Sequence, residues 1–92
     1  MRFLVRIKVT LPPTLDPSER ERLLAAELER GRALHAAGAI VDIWRIPGAI
    51  RNVGIWEAAD ATELHELIAS LPLFPYFEAD TTALAQHPIN AD

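Results

Sequence analysis

A single carboxylate, Glu27, lies inside the apolar stripe of a helix-forming segment. With Leu23 set at 0°, a step of about 100° per residue places Leu34 at about 20° and Glu27 at about 40°. Burial disfavours the charged form of a carboxyl group, so the pKa of Glu27 should be raised. Such a base suits abstraction of a carbon-bound proton near neutral pH. A structural ion pair with an arginine is the alternative, because paired groups also have perturbed pKa values.

Arg45 is the second residue with chemical potential, and it lies in a segment typical of a strand. It alternates with Val41 and Ile43, so it should share their face of the sheet. A guanidinium in that setting can hold a substrate carboxylate through two hydrogen bonds. The alternative is an ion pair, with Glu27 or Asp42 as the partner.

Asn52, Tyr76, His65 and His87 are weaker candidates for contacts with a ligand. Asn52 alternates with Trp56 on one strand face, where an amide either satisfies a backbone group or donates to a ligand oxygen. The phenol of Tyr76 is a potential donor, although a packed ring is its commoner role. His65 lies on the flank of a second helix, and His87 lies in a C-terminal tail that could reach a neighbouring subunit. The histidines lack the i, i+4 spacing of helical metal ligands, so no metal site is expected.

The elements that must position these side chains follow from hydrophobic periodicity and capping signals. In chain order they are a strand at 2–10, a helix at about 17–37, strands at 40–46 and 49–56, a helix at about 61–70 and a strand at 77–83. Asp16 and Asp60 are the expected N-caps, each with a Glu three residues later, and Gly38 should end the first helix. Two prolines should exclude a helix from the connector at 71–76.

This β-α-β-β-α-β order predicts an α+β fold of the ferredoxin-like type, with a four-stranded antiparallel sheet and both helices on one face. The second face of the sheet would be bare, with Trp44, Trp56 and several Ile and Val residues to cover. We expect another subunit to bury it, as in a dimeric α/β-barrel assembly. Residues 1–92 should form a single domain, with 84–92 as a C-terminal tail.

The composition excludes several classes of function. The 92 residues include no cysteine, which rules out disulfides and thiolate chemistry, and half of them are apolar. A lone domain of this size buries only about 60–65% of its unfolded surface, so the apolar surplus favours self-association. All nine basic residues lie at or before Arg51 and form no cluster suited to phosphates, so nucleic-acid binding is not expected. Charges interrupt the first apolar run and no stretch approaches a membrane span, which favours a soluble cytoplasmic protein without membrane contact.

Several stretches together resemble the muconolactone Δ-isomerase family, over about residues 3–88. They are Leu15-Asp16-Pro17, Ala26-Glu27, Trp44-Arg45-Ile46 with Gly48 and Asn52, Glu63-Leu64-His65, Leu71-Pro72-Leu73-Phe74-Pro75-Tyr76 and His87-Pro88. Their order and spacing carry the resemblance. It implies a ferredoxin-like chain that assembles into a homo-oligomer, a decamer in the family, with active sites near subunit contacts and no cofactor or metal.

The reaction implied by the resemblance moves the double bond of muconolactone to give 3-oxoadipate enol-lactone, in catechol breakdown through the β-ketoadipate pathway. This 1,3-proton shift needs a base, an acid and hydrogen-bond donors for the dienolate oxygen. Glu27 is then the candidate base and proton shuttle, and Arg45 the candidate clamp for the acetate side chain. The candidate substrate-binding residues are Asn52, Tyr76, His65 and His87.

The pair that follows the turn at 47–48 departs from the family pattern, which often has His or Arg and then Tyr. Here the pair is Ala49-Ile50, which would give a wider and more apolar pocket edge. A chlorinated muconolactone or another unsaturated lactone is therefore an alternative substrate, and elimination of chloride an alternative reaction. A third alternative is a non-catalytic binding or assembly module, in which Glu27 and Arg45 form a structural ion pair.

Overall fold

The fold of the chain is known from a computed structural model that describes residues 1–90. In chain order the elements are β1 (Arg2–Val9), α1 (Pro17–Ala36), β2 (Ile40–Ile46), β3 (Arg51–Glu57), α2 (Ala61–Ala69), a 3₁₀ turn (Phe74–Tyr76), β4 (Phe77–Leu84) and a second 3₁₀ turn (Pro88–Asn90). The predicted order is confirmed, although β3 begins two residues later than expected because 47–50 form a turn. The last two residues of the expected tail, 91–92, lie outside the described residues. Within 1–90, no helix is both long and apolar enough to span a membrane.

The four strands form one antiparallel sheet in the order β2-β3-β1-β4. The central strand β1 pairs on both sides, so that Val5 lies opposite Gly54 of β3 and Thr81 of β4. Edge strand β2 pairs with β3, and its register shifts between Ile40 and Asp42. The predicted ferredoxin-like arrangement is confirmed.

The hydrophobic core lies between one face of this sheet and the two helices. Phe3, Val5 and Ile7 of β1 are buried there with Leu34 of α1 and with Leu64 and Ile68 of α2. Trp56 joins them and is 0% exposed, because it lies opposite Phe3 and Ile40 on the helix-covered side. The expectation that Trp56 belongs to the bare face is therefore wrong.

The opposite side of the sheet, here called the outer face, is open to solvent. Its residues include Leu4, Arg6, Lys8, Trp44, Ile46, Arg51, Val53, Ile55, Glu78 and Asp80. Trp44 is 53% exposed, and it lies opposite Val53, which in turn lies opposite Arg6. The prediction of a partly apolar bare face is thus confirmed for Trp44.

The helix ends follow the capping signals in the sequence. Asp16 Oδ1 accepts a hydrogen bond of 2.8 Å from the Ser18 backbone N–H, and Asp60 Oδ1 accepts one of 2.8 Å from Glu63. These bonds satisfy N–H groups that have no partner within the first helical turn. Gly38 follows α1 with a φ of +84°, a conformation that glycine adopts without a steric penalty. The two helices are therefore fixed at their ends by local chemistry.

Candidate functional site

Glu27 lies in the middle of α1, where its side chain is half-buried. Its Oε1 accepts a hydrogen bond of 2.9 Å from the backbone N–H of Leu73, which follows α2. Burial raises the pKa of Glu27 above its usual value, and the bond from Leu73 offsets part of that rise. This direction agrees with the prediction from the sequence, and its main cause is desolvation.

The ion pairs of the chain lie elsewhere. Within residues 1–90, Glu57 pairs with the amino terminus and with Arg2, and Arg22 pairs with Glu19. No ion pair in this part of the chain involves Glu27 or Arg45. The alternative in which these two residues form a structural pair is therefore wrong, and both charged groups are left available to a ligand.

The connector, residues 71–76, carries the amide that contacts Glu27. Leu73 is 1% exposed, so its side chain anchors the segment in the core. Tyr76 N donates to the Leu73 carbonyl at 2.8 Å and closes the 3₁₀ turn at Phe74–Tyr76. The expectation that the connector contains no helical turn is wrong: Pro75 lies in the first turn, where its missing N–H would have had no helical partner.

Arg45 lies opposite Asn52 on adjacent strands, on the helix-covered side of the sheet. It shares that side with Ile43, as the alternation predicts, and its side chain is exposed near the sheet edge. Gly54 permits this geometry, since a Cβ at position 54 would lie 2.8 Å from the Asp42 carbonyl oxygen. A side chain there would push β2 away from β3 and displace Arg45 with it.

Two polar atoms are buried on the helix-covered side without a partner. Within residues 1–90, Asn52 Oδ1 and Trp56 Nε1 have no hydrogen bond. Buried polar atoms in folded proteins nearly always have a partner, so such atoms mark a place where a ligand or water can bind. The sequence predicts that Asn52 either satisfies a backbone group or contacts a ligand, whereas it predicts no such role for Trp56. The alternation of Trp56 with Asn52 on one side of the strand is the sequence feature that could have identified Trp56 as a candidate.

The remaining predicted site residues differ in their surroundings. Tyr76 is half-buried at the end of the connector. His65 is exposed on α2, and its ring packs edge-on against Phe74 with the centroids 6.0 Å apart. His87 is exposed in the tail, where its Nδ1 accepts a hydrogen bond of 3.0 Å from Ile89 N. Glu27 thus contacts the connector that carries Tyr76, and Arg45 lies opposite Asn52. Both histidines lie at the surface of the single chain.

A surface depression of about 580 Å³ lies over the outer face, between Arg6, Arg51 and Asp80. Glu27 does not line it, because α1 covers the opposite side of the sheet. Among residues 1–90, no group of three His, Asp or Glu side chains is arranged to hold a metal ion.

Comparison with known proteins identifies the family. Residues 1–90 match the family model described as muconolactone delta-isomerase. The chain is 39% identical to the muconolactone Delta-isomerase of Rhodococcus opacus, over 92% of this chain and 91% of that one. It is 37% identical to the Pseudomonas aeruginosa enzyme of the same name, over 100% and 98% of the two chains.

Solved structures agree with the sequence comparison. A crystal structure of muconolactone isomerase superposes with a TM-score of 0.91 at 33% identity, covering 100% of this chain and 96% of that one. The 5-chloro-2-hydroxyhydroquinone dehydrochlorinase of Burkholderia phenoliruptrix has a TM-score of 0.72 at 22% identity, over 98% and 99% of the two chains, and shares the fold alone. These matches, over nearly the whole length of both chains, lead to one conclusion: the chain belongs to the muconolactone delta-isomerase family of isomerases.

Proposed function

We propose that this chain converts muconolactone to 3-oxoadipate enol-lactone in catechol catabolism, without a cofactor. The observation that carries the proposal is Glu27, a half-buried carboxylate with a raised pKa and a backbone amide on one oxygen, in a chain of this family. A base of this kind can take a proton from carbon and return it, because its pKa is closer to neutrality than that of an exposed glutamate.

The proposed mechanism is a proton transfer within one lactone ring. Glu27 removes the proton from the ring carbon that bears the acetate side chain, and the electron pair moves through the double bond into the lactone carbonyl. The resulting dienolate carries its negative charge on oxygen. Glu27 then returns the same proton to the carbon next to the carbonyl, so the atoms balance without a co-reactant. The product differs from the substrate only in the position of the double bond.

The other site residues bind and orient the substrate in this proposal. Arg45 holds the acetate carboxylate, since a guanidinium offers two parallel N–H groups to one carboxylate. Asn52 and Tyr76 supply polar contacts near the dienolate oxygen, where donors that are already in place stabilise developing charge. His65 and His87 contribute to the pocket wall once subunits assemble, because both are exposed in the single chain.

The experiment that tests this function is an ultraviolet assay of the purified protein with muconolactone. We expect turnover with no added metal or cofactor. Absence of turnover in a well-formed oligomer would contradict the proposal. A parallel assay with a chlorinated muconolactone addresses the alternative substrate suggested by Ala49 and by Ile50, which is half-buried in the turn that precedes β3. Chloride release without isomerisation of muconolactone would favour the eliminating reaction instead.

We further propose that a second copy of the chain covers the outer face in a homo-oligomer, with ten subunits as the resemblance implies. The accessible surface is 6374 Å², whereas about 5,300 Å² is typical of a monomer of this mass. The outer face is also self-complementary in charge. Arg6 and Lys8 of β1 lie beside Asp80 and Glu78 of β4, so a two-fold contact can bring opposite charges together.

Replacing Trp44 with glutamate should dissociate this assembly. A charge at a 53% exposed position costs little in the monomer but is strongly unfavourable in a buried subunit contact. Light scattering should therefore give a smaller particle for Trp44→Glu with an unchanged circular dichroism spectrum. Ala33→Glu, an exposed change on α1, is the matched control and should keep the wild-type mass. A monomeric wild-type protein would contradict the proposal outright.

A further inference from the structure

Two side chains on α1 hold the segment that leads from α2 into the connector. Glu27 Oε1 accepts from Leu73 N at 2.9 Å, and three residues further on Arg30 donates from Nε and Nη2 to Ser70 Oγ at 3.1 and 3.0 Å. Ser70 Oγ in turn donates to the Leu67 carbonyl at 2.6 Å. Residues three apart lie on the same side of a helix, so Glu27 and Arg30 contact one segment at neighbouring points.

We propose that Arg30 and Ser70 are positioning residues for the candidate base: they hold the connector so that Leu73 N–H occupies Glu27 Oε1 and leaves Oε2 as the atom that takes and returns the proton. The catalytic part of this inference rests on the proposed function. The positioning part is a property of the protein without substrate, so the two parts can be tested separately.

The short chain between Ser70 and Leu73 explains how a surface contact can control a half-buried carboxylate. Pro72 fixes its own φ and restricts the backbone of the residue before it. Leu71 and Leu73 are 5% and 1% exposed, so their side chains are locked in the core. Few backbone rotations therefore remain free between Ser70 and Leu73. A displacement of Ser70 should be transmitted to the Leu73 N–H.

The contact between Arg30 and Ser70 is more than a cap for α2. Ser70 Oγ already satisfies the end of the helix through its bond to Leu67, and a cap needs no arginine from another helix. Both guanidinium N–H groups converge on this one oxygen although Ser70 is an exposed residue. These hydrogen bonds connect α1 to the end of α2, and Arg30 lies one helical turn from Glu27.

The surroundings of Glu27 make the consequence measurable. Within residues 1–90, Leu73 N–H is the hydrogen-bond donor to Glu27, and no Lys, Arg or His forms an ion pair with it. Arg30, three residues further along the helix, directs its guanidinium to Ser70. Loss of the hydrogen bond from Leu73 N–H therefore removes the contact that favours the charged form of Glu27. The desolvation that disfavours the charged form persists.

The test is a titration of the Glu27 carboxyl carbon by nuclear magnetic resonance in the full-length protein without substrate. In Ser70→Ala and in Arg30→Met, we expect the pKa of Glu27 to rise further, because a weakened hydrogen bond to the charged form disfavours that form. The Leu73 amide proton should exchange faster in both variants. Because both changes break one contact, the double variant should shift the pKa no further than either single variant.

The controls separate positioning from a general loss of structure. Arg32→Met removes an exposed arginine of the same helix and should leave the Glu27 titration unchanged. Ser70→Thr keeps the hydroxyl and should restore the wild-type pKa. If Arg30→Met fails to fold, Ser70→Ala still decides the question, because it removes only one oxygen from an exposed residue.

The pH dependence of activity should shift in the same direction as the titration of Glu27. A general base must be ionised, so kcat/KM for muconolactone should fall as the pH drops through the pKa of Glu27. In Ser70→Ala this acidic limb should move to higher pH by the same amount as the titration, with KM unchanged. An unchanged Glu27 titration and an unchanged Leu73 amide in both variants would overturn the proposal. A shifted titration in a protein that does not turn over muconolactone would support the positioning and overturn the proposed function.

Discussion

Glu27→Gln is expected to lower kcat for muconolactone by about 10²–10⁴-fold, the usual contribution of a general base. Glutamine has the same shape, and its Oε1 can still accept the hydrogen bond from Leu73 N–H. The amide cannot take a proton from carbon, so the chemical step is lost while substrate binding is kept. The ultraviolet assay should accordingly show a large loss in kcat with little change in KM.

The control for this variant is Glu29→Gln, which removes a carboxylate from an exposed position of the same helix and should retain activity. Light scattering and circular dichroism should show the wild-type assembly and fold for both proteins. A Glu27→Gln protein with wild-type kcat would exclude Glu27 as the base, and with it the mechanism proposed for this site.

Arg45→Met is expected to lower kcat/KM by about 10–100-fold, mainly through a higher KM, because charge-assisted hydrogen bonds to a carboxylate are among the stronger polar contacts. The side chain is exposed, and within residues 1–90 it has no ion-pair partner whose loss would unfold the protein. The thermal midpoint should therefore stay close to that of the wild type. Steady-state kinetics with muconolactone measure the effect.

Three comparisons make the Arg45 result specific. Arg45→Lys keeps the charge but not the planar pair of donors, so its KM should lie between those of the wild type and Arg45→Met. Arg20→Met, an exposed change on α1, should have no effect. With a methyl ester of the acetate side chain, wild-type and Arg45→Met proteins should perform alike. An Arg45→Met protein with the wild-type KM would show that Arg45 does not hold the carboxylate.

The two tryptophans show why the sequence placed one residue correctly and the other wrongly. Simple alternation from Ile40 puts Trp44 on the same side as Ile40. The register shift between Ile40 and Asp42 instead places Trp44 on the outer face, opposite Val53. Trp56 lies on the other side, opposite Phe3, and is fully buried. Alternation separates the two faces of a strand, but it does not say which face the helices cover.

The connector likewise shows what a sequence pattern alone cannot predict about the candidate site. Its prolines predict a rigid segment without a helical turn, whereas the structure has a 3₁₀ turn at Phe74–Tyr76. The bond from Leu73 N–H to Glu27 joins residues 46 apart in the chain, and a backbone amide has no side-chain identity that a sequence pattern can reveal. The hydrogen bonds between Arg30 and Ser70 could not be predicted for a related reason. Arginine on a helix and serine at a helix end are common, so neither residue indicates the contact by itself.

The sequence by itself determined the features that depend on neighbours along the chain. The caps at Asp16 and Asp60, the alternation of β1 and the place of Glu27 in the apolar stripe of α1 are local properties, and so are the motifs that carry the family resemblance. The tertiary structure decided how the elements meet: which side of the sheet is covered, which atom of Glu27 is held, and that Arg45 lies opposite Asn52 without an ion pair. These depend on strand register and helix packing, which are set by the free energy of the whole fold rather than by any one segment.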